Sequence, residues 1–336
     1  MTDDAISQAP MPRGRALFAG ASAQIGLLVI VAAFWVVFSS LAPGFISPFN
    51  LFTLGRALAI DIVIGFAQMV VLATGGMNLA VGSIGVCAVM ASGYLMQTLG
   101  LPVPLGILGA LLVGGGLGWL NGFAIVRTGV NSFIITLASA NLFSGAMLIL
   151  TKAVPLNTLP ASIGAFGKLK IAGVLSPLLL IALVLCALLT VLYRASTFGR
   201  EVLAAGANPR AAAMSGVPVG RVIIISHTLS GLLAGVAGMM LVARLGAAMP
   251  SSGGEDWLLP SFLGPVLGGT LLSGGGVAVI GTMLGAALVT TIRSGLLVLQ
   301  IGNFWLQLFL GIILLFAVLI DRYRGVYAAR RSLGRR

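Results

Sequence analysis

Charge is scarce in this chain. Only 8% of its 336 residues are Asp, Glu, Lys or Arg, and just seven are acidic, where soluble proteins carry roughly 25% charged residues. With 59% hydrophobic residues, such a chain has no polar coat to offer water. Histidine occurs once, at His227, and cysteine twice, at Cys87 and Cys186. A single histidine excludes a His-Glu-x-x-His hydrolase and any histidine-pair metal site. The two cysteines stand alone in separate apolar blocks and read as small packing residues, not as a disulfide or metal pair. No Gly-x-x-x-x-Gly-Lys-Ser/Thr phosphate loop is present; Gly167-Lys168 is followed by Leu169, so any ATP that is used is hydrolysed by another polypeptide. A Gly-x-Ser-x-Gly nucleophile elbow is also missing. No catalytic residue, metal site or cofactor is therefore assigned to this chain.

What the chain has is long apolar runs. Ile25 to Phe38, Leu178 to Val191 and Phe304 to Ile320 are almost free of charge. They are continuous and approach the ~20 residues of a spanning helix, without the short alternating segments of a barrel. The expected fold is an all-α polytopic bundle of about ten spans. These fall roughly at 18–41, 51–73, 79–99, 103–126, 133–150, 173–193, 222–245, 258–275, 277–299 and 304–320. Gly75-Gly76 and Gly274-Gly275-Gly276 soften the third, eighth and ninth, where re-entrant segments are open. Residues 1–17 form an N-terminal tail, 18–320 the membrane domain and 321–336 a basic tail suited to anionic headgroups. The first apolar block follows a long, partly acidic lead with no clear small-x-small cleavage site, and reads as a retained helix. With both ends in the cytoplasm, 13 of the 19 Lys and Arg face inside, which the positive-inside rule favours. The net charge of +12 reflects this topology and not a nucleic-acid surface, because no basic stripe with interleaved aromatics appears.

One polar stretch interrupts the apolar pattern, from Tyr193 to Arg221. Good helix formers from Arg200 to Ala205 are closed by Gly206; Asn208-Pro209 then supplies an N-cap and a first-turn proline for a second helix, Arg210 to Ser215, which stops at Gly216. Helices of about six residues do not persist alone in water. They are held by packing, either on the protein's own spans or in a partner's groove.

Gly199-Arg200, Gly206-Ala-Asn208, Ala211-Ala212, Ser215-Gly216 and Val219-Gly-Arg221, followed by Leu229-Ser-Gly-Leu-Leu-Ala-Gly-Val-Ala-Gly238, resemble the signature of the inner-membrane permease subunits of ribose-type ATP-binding cassette importers. Thr74-Gly-Gly-Met-Asn-Leu-Ala-Val-Gly-Ser83, Asn121-Gly122 with Ser132-Phe-Ile-Ile-Thr-Leu137, and Leu267-Gly-Gly-Thr-Leu-Leu-Ser-Gly-Gly275 with Gly281-Thr and Phe304-Trp-Leu-Gln307 agree in order and spacing. The resemblance runs from about residue 40 to Arg322. It implies a dimer of permeases in a bacterial inner membrane, a separate cytoplasmic ATPase that carries ATP and Mg, and a periplasmic solute-binding protein. The loop at 194–221 would grip the ATPase, with Gly199, Arg200, Glu201, Gly206, Asn208, Arg210, Ser215 and Gly216 as coupling residues. Within it, Arg200 and Glu201 are candidates for polar contact, Val202, Leu203 and Met214 for filling a groove, and Gly206 for a positive φ. The implied cargo is a monosaccharide or polyol, with nucleosides, branched-chain amino acids and a signalling furanone as alternatives. Asn78 stands where many members have Asp, and Trp257-Leu-Leu-Pro-Ser-Phe-Leu263 replaces a more acidic stretch; both weaken the case for ribose itself.

Ionisable and polar groups inside spans are candidates for a pathway. Asp61, Asn78, Ser83, Asn121 and Thr136 are the first choice, although the amides and hydroxyls could equally satisfy backbone at helix breaks. Arg56 precedes Asp61 by five residues, a net turn of about 140° on a helix, so the two do not pair and Arg56 snorkels to the interface. Arg244, Arg293, Glu255 and Asp256 read as outer loop ends that could also dock a binding protein. His227 reads as a packing or interface residue near the inner end of its span. Gly114/Gly118, Gly231/Gly235 and Gly281/Gly285 are small-x-x-x-small pairs that let helices approach closely. An ion-coupled secondary transporter is a more distant alternative; it would need a carboxylate network, and only Asp61 offers itself.

Overall fold

The computed structural model describes residues 13–301 and, beyond them, only positions 305, 308, 309, 311, 312 and 315. Among the described residues the chain forms twelve α-helices and no strand longer than an isolated bridge. They are α1 (Arg13–Leu41), α2 (Pro48–Leu72), α3 (Val81–Gln97), α4 (Val103–Thr128), α5 (Ser132–Thr151), α6 (Ala161–Lys168), α7 (Pro177–Ala195), α8 (Thr197–Ala207), α9 (Pro209–Met214), α10 (Val219–Leu245), α11 (Leu258–Leu267) and α12 (Val279–Val298), with a 3₁₀ turn at Gly254–Trp257. Seven of them, α1, α2, α4, α5, α7, α10 and α12, are long and apolar enough to cross a membrane. The helices α3 and α11 are shorter apolar segments. The tail 321–336 and all but isolated positions of the span at 304–320 lie outside the described residues, as do residues 1–12 of the N-terminal tail.

Local chemistry sets these boundaries. Helices α2, α7 and α9 each begin with a polar cap followed by proline: Ser47-Pro48, Ser176-Pro177 and Asn208-Pro209, with the cap side chain accepting from a backbone N–H two or three residues on. The cap satisfies a donor that the first turn leaves open, and proline has no N–H to strand there. Helices α4 and α10 end on Gly129 and Gly246, both at positive φ.

Burial sorts the helices into a centre and a wall. In α2 78% of the span is buried, in α12 72% and in α10 56%, while α1, α4, α5 and α7 bury 28% or less. The wall helices turn Leu28, Val36, Leu112, Leu142, Ile149 and Leu188 outward, as lipid-facing surfaces do. Helices α4 and α10 cross tightly, because a Cβ on Gly118 would run into the carbonyl of His227, and one on Gly231 into that of Gly114. This is the small-residue approach expected where helix pairs gain little from the hydrophobic effect.

The bundle has two ends, named here from α8 and α9. At the near end lie those two helices, the last turns of α2, α4 and α7, and the first turns of α5, α10 and α12. The far end carries α6, whose Gly167 packs on Ala243 of α10, and the bridge between Leu156 and Ala248.

Two segments depart from the expected spans. After α2 the chain runs unwound from Ala73 to Ala80 before α3 begins, so α3 is a partial span. The expected span 258–275 is helical only to Leu267; Gly269, Gly274 and Gly275 then take φ of +89°, +84° and +77°, a backbone that glycine adopts without the cost of a Cβ. The Gly75 and Gly274 loops, which echo each other in sequence, touch: Gly275 N donates to Ala73 O at 3.0 Å. Each joins one full helix to one short helix, in opposite order. The helix α6 and the 3₁₀ turn were not anticipated from the sequence.

Candidate functional site

A cavity of about 960 Å³ lies among α2, α3, α5, α10, the 3₁₀ turn and α12, toward the far end. Its polar lining includes Asp61 of α2, Ser83 of α3, Asn141 of α5, Arg244 of α10, Asp256 of the 3₁₀ turn and Arg293 of α12. Among the described lining residues two cations and two anions balance. Asp61 Oδ2 accepts from Thr290 Oγ1 at 2.8 Å and from Arg293 Nη1 at 3.4 Å. The pairing explains how a carboxylate with 9% of its side chain exposed persists inside a span, where a lone charge is expensive.

Arg293 is therefore not a loop end: it sits on α12 and faces Asp61. Arg244 likewise belongs to the last turn of α10 and the cavity wall. Arg56 extends toward the far end, where its Nη1 donates to Gly167 O of α6 at 3.1 Å, and its guanidinium lies over the Phe52 ring, 4.9 Å from the centroid. Of Glu255, only the backbone position in the 3₁₀ turn is described.

The floor of the cavity is the unwound segment after α2, and side chains hold it in place. Met77 N donates to Ser132 Oγ at 3.0 Å and Leu79 N to Thr136 Oγ1 at 3.1 Å. Asn78 is fully buried; its Oδ1 accepts from Ala80 N at 3.0 Å and its Nδ2 donates to Ser230 Oγ at 2.9 Å. With its amide oriented to satisfy both groups, Gln68 donates to Asn78 O at 2.8 Å and accepts from Asn78 N at 3.3 Å. Non-helical backbone at membrane depth is tolerated only where protein satisfies it in this way. Asp61 and Ser83 thus line the cavity, Asn78 and Thr136 hold its floor, and Asn121 lies on α4, 2% exposed and with Nδ2 unpartnered. Beside this floor, the segment before α11 returns into the bundle, where a Cβ on Gly82 would overlap the carbonyl of Gly254, and one on Gly85 the ring of Trp257.

The second surface is the α8–α9 pair. Ser196 caps α8 by accepting from Gly199 N at 2.9 Å, and Asn208 caps α9 by accepting from Ala211 N at 3.0 Å. The first helix continues through Gly206 to Ala207, so Gly206 does not close it and has no positive φ. Its role is contact: a Cβ there would strike Ala73 O and crowd Gly275 N, where the two glycine loops meet. Gly199 is buried against Leu192 and Tyr193, and Val202 is buried too. The side left to solvent shows Arg200, Asn208, Arg210, Ser215, Gly216 (φ +84°) and Met214, the last 91% exposed, with Glu201 half-buried. Val202 thus packs inward on this chain, whereas Met214 is free for a partner.

Sequence reasoning missed Gln68, Ser230, Thr290 and the partner of Asp61. A glutamine deep in an apolar run was one available signal. Thr290 and Arg293, three apart on one helix and so on one face, were another.

A polar cavity walled by broken helices, inside a bundle whose outer faces suit lipid, defines a polytopic membrane permease. The profile of the family described as branched-chain amino acid transport system / permease component matches residues 47–318, and the chain belongs to that family. It is 34% identical over 301 residues to the ribose import permease protein RbsC of Bacillus subtilis (strain 168), covering 89% of this chain and 91% of that one. Similarity extends to the D-allose transport system permease protein AlsC of Escherichia coli (strain K12), at 30% over 88% of this chain and 91% of that one. The autoinducer 2 import system permease protein LsrD of Salmonella paratyphi B (strain ATCC BAA-1250 / SPB7) is 33% identical over 82% and 85% of the two chains. No solved structure matches.

Proposed function

We propose that this chain is the membrane-spanning subunit of an ATP-binding cassette importer and moves a neutral monosaccharide or polyol by alternating access. The observation that carries this reading is the α8–α9 pair: two capped short helices seated on the loops that join the broken helices, with an arginine-bearing outer side. A cytoplasmic ATPase grips that side through Arg200, Arg210 and Met214, and ATP and Mg reside on the ATPase. Because Gly206 touches Ala73 and Gly275, displacement of α8 bears directly on both broken segments, a rigid-body switch of the kind transporters use. The near end is the cytoplasmic face: Arg127, Arg194, Arg200, Arg210 and Arg221 are all exposed there, as the positive-inside rule favours in an inner membrane. The far-end cavity receives solute from a periplasmic binding protein, and a second permease subunit completes the assembly.

The cargo reading rests on the ribose and allose permeases among the relatives. Ligand screening of the binding protein encoded beside this chain tests it. A pentose, hexose or polyol ligand is expected, and an exclusively amino-acid ligand would overturn the sugar assignment.

A further inference from the structure

Asp61 stands near the middle of α2, where an ionised group is costly and marks a functional site by default. Its side chain is 9% exposed. Both of its described bonds, from Thr290 Oγ1 at 2.8 Å and from Arg293 Nη1 at 3.4 Å, fall on the same oxygen, Oδ2. The other oxygen, Oδ1, has no partner among the described residues. It is not among the atoms sealed in the interior without a partner, so it opens on the cavity that Asp61 lines.

Arg293 is left equally incomplete. Its Nη1 serves Asp61 and its Nε is sealed, while its Nη2 is not sealed and makes no bond among the described residues. With 27% of the side chain exposed and the residue in the cavity wall, Nη2 is the donor that faces the solute space. A guanidinium and a carboxylate that serve only to fasten two helices frequently meet through two parallel bonds of about 2.7–2.9 Å. Here one bond of 3.4 Å joins α2 to α12 and spares one polar atom on each side.

We propose that Asp61 Oδ1 and Arg293 Nη2 form an acceptor and donor dyad that grips two hydroxyls of a neutral sugar or polyol in the far-end cavity, which makes Arg293 a specificity-determining residue. The inference rests on the cargo reading above and deepens it. One hydroxyl donates to Oδ1 and the second accepts from Nη2. Both bonds involve an ionised partner and so belong to the stronger class. They form together only when the two hydroxyls point the right way, so the dyad reads stereochemistry. An α-amino acid would meet the same two atoms with an ammonium and a carboxylate, and L-leucine is therefore the counter-probe.

The test reads solute binding to the assembled complex in nanodiscs. Ser144→Cys, in a background of Cys87→Ala and Cys186→Ala, places a single thiol on the α5 wall of the cavity, and its rate of maleimide labelling reports occupancy. The probes are D-ribose, D-allose, D-xylose, D-glucose and xylitol, each with its singly deoxygenated forms. At least one parent probe is expected to protect the thiol. Arg293→Lys keeps the charge beside Asp61 but has no second nitrogen, and it should raise the half-protecting concentration roughly tenfold, the size of one hydrogen bond to a charged group. With Arg293 intact, one deoxygenated form should show the same roughly tenfold loss. In Arg293→Lys that form should lose little more, because both changes remove one bond, whereas a merely structural pair would penalise every probe alike. Co-purification with the ATPase checks that the variant folds, and the deoxygenation series with Arg293 intact stands without it. Equal protection in both proteins, a deoxygenation penalty that is absent or undiminished by Arg293→Lys, protection by L-leucine, or a thiol that no probe protects overturns the dyad. ATP-driven uptake of the probes by the wild type reports separately: uptake without protection refutes the dyad alone, and no uptake of any probe counts against the cargo reading on which it rests.

Discussion

Gly206→Ala is the most informative small perturbation of this fold. On propensity alone it should help, because alanine in a helix interior is favoured over glycine by about 1 kcal/mol, and Gly206 lies inside α8. The contact opposes this. The added Cβ would overlap Ala73 O and come within 2.5 Å of Gly275 N, and both neighbours are backbone that no rotamer change can move aside. Overpacking of a rigid site costs about 1–3 kcal/mol. The 3.0 Å bond from Gly275 N to Ala73 O lies in the path of any relaxation and is worth about 1 kcal/mol more. Gly206→Ala should therefore destabilise by about 1–3 kcal/mol. It should also loosen the attachment of α8 to both broken segments, so that ATP hydrolysis proceeds with reduced uptake. Gly145→Ala on α5 is the control, since nothing lies within 4 Å of its added carbon; it should be neutral or mildly stabilising. Thermal unfolding of the purified permease, paired with ATPase and uptake rates, reads both effects. A Gly206→Ala variant as stable and as tightly coupled as Gly145→Ala would refute the argument.

Three further outcomes are expected. Asp61→Asn and Arg293→Gln should each destabilise, and the double variant should show a coupling energy of about 1–3 kcal/mol in a thermal-unfolding cycle; strict additivity would mean that the pair is not formed. Asn78→Leu strands Ala80 N and Ser230 Oγ together and should cost about 2 kcal/mol or more, whereas Ser230→Ala, which frees only the Asn78 amide, should cost less; the reverse order of unfolding temperatures would contradict the assigned bonds. Met214→Asp, at a side chain 91% exposed, should change stability by less than about 0.5 kcal/mol while weakening ATPase co-purification at least tenfold, and undiminished co-purification would remove Met214 from the interface.

The long spans were legible because run length is a local property: α2, α4, α5, α7, α10 and α12 fall where apolar runs of near-spanning length predicted them. The two short helices α8 and α9 were legible from Asn208-Pro209 and Gly216, since caps and breakers act within a turn. The eighth span was overread. Its apolar composition continues past Leu267, but Gly269, Gly274 and Gly275 stop the helix through backbone conformation, which hydropathy does not weigh. Gly206 was expected to need positive φ, and the structure shows that it is needed for closeness to a loop 133 residues earlier, a relation no local pattern encodes. The Asp61–Arg293 pair, separated by 232 residues, was hidden for the same reason. So was the division of polar residues into those lining the cavity, Asp61 and Ser83, and those mending the backbone, Asn78 and Thr136.

The central claim, that a separate ATPase drives this permease through α8 and α9, is tested most directly by solute accumulation in proteoliposomes. The vesicles would hold the chain with its ATPase and binding protein, and the wild type would be compared with Met214→Asp. The account predicts accumulation that requires ATP and the ATPase, persists when ionophores collapse every ion gradient, and is lost in the variant. Accumulation that continues without the ATPase and disappears with the ion gradient would contradict it.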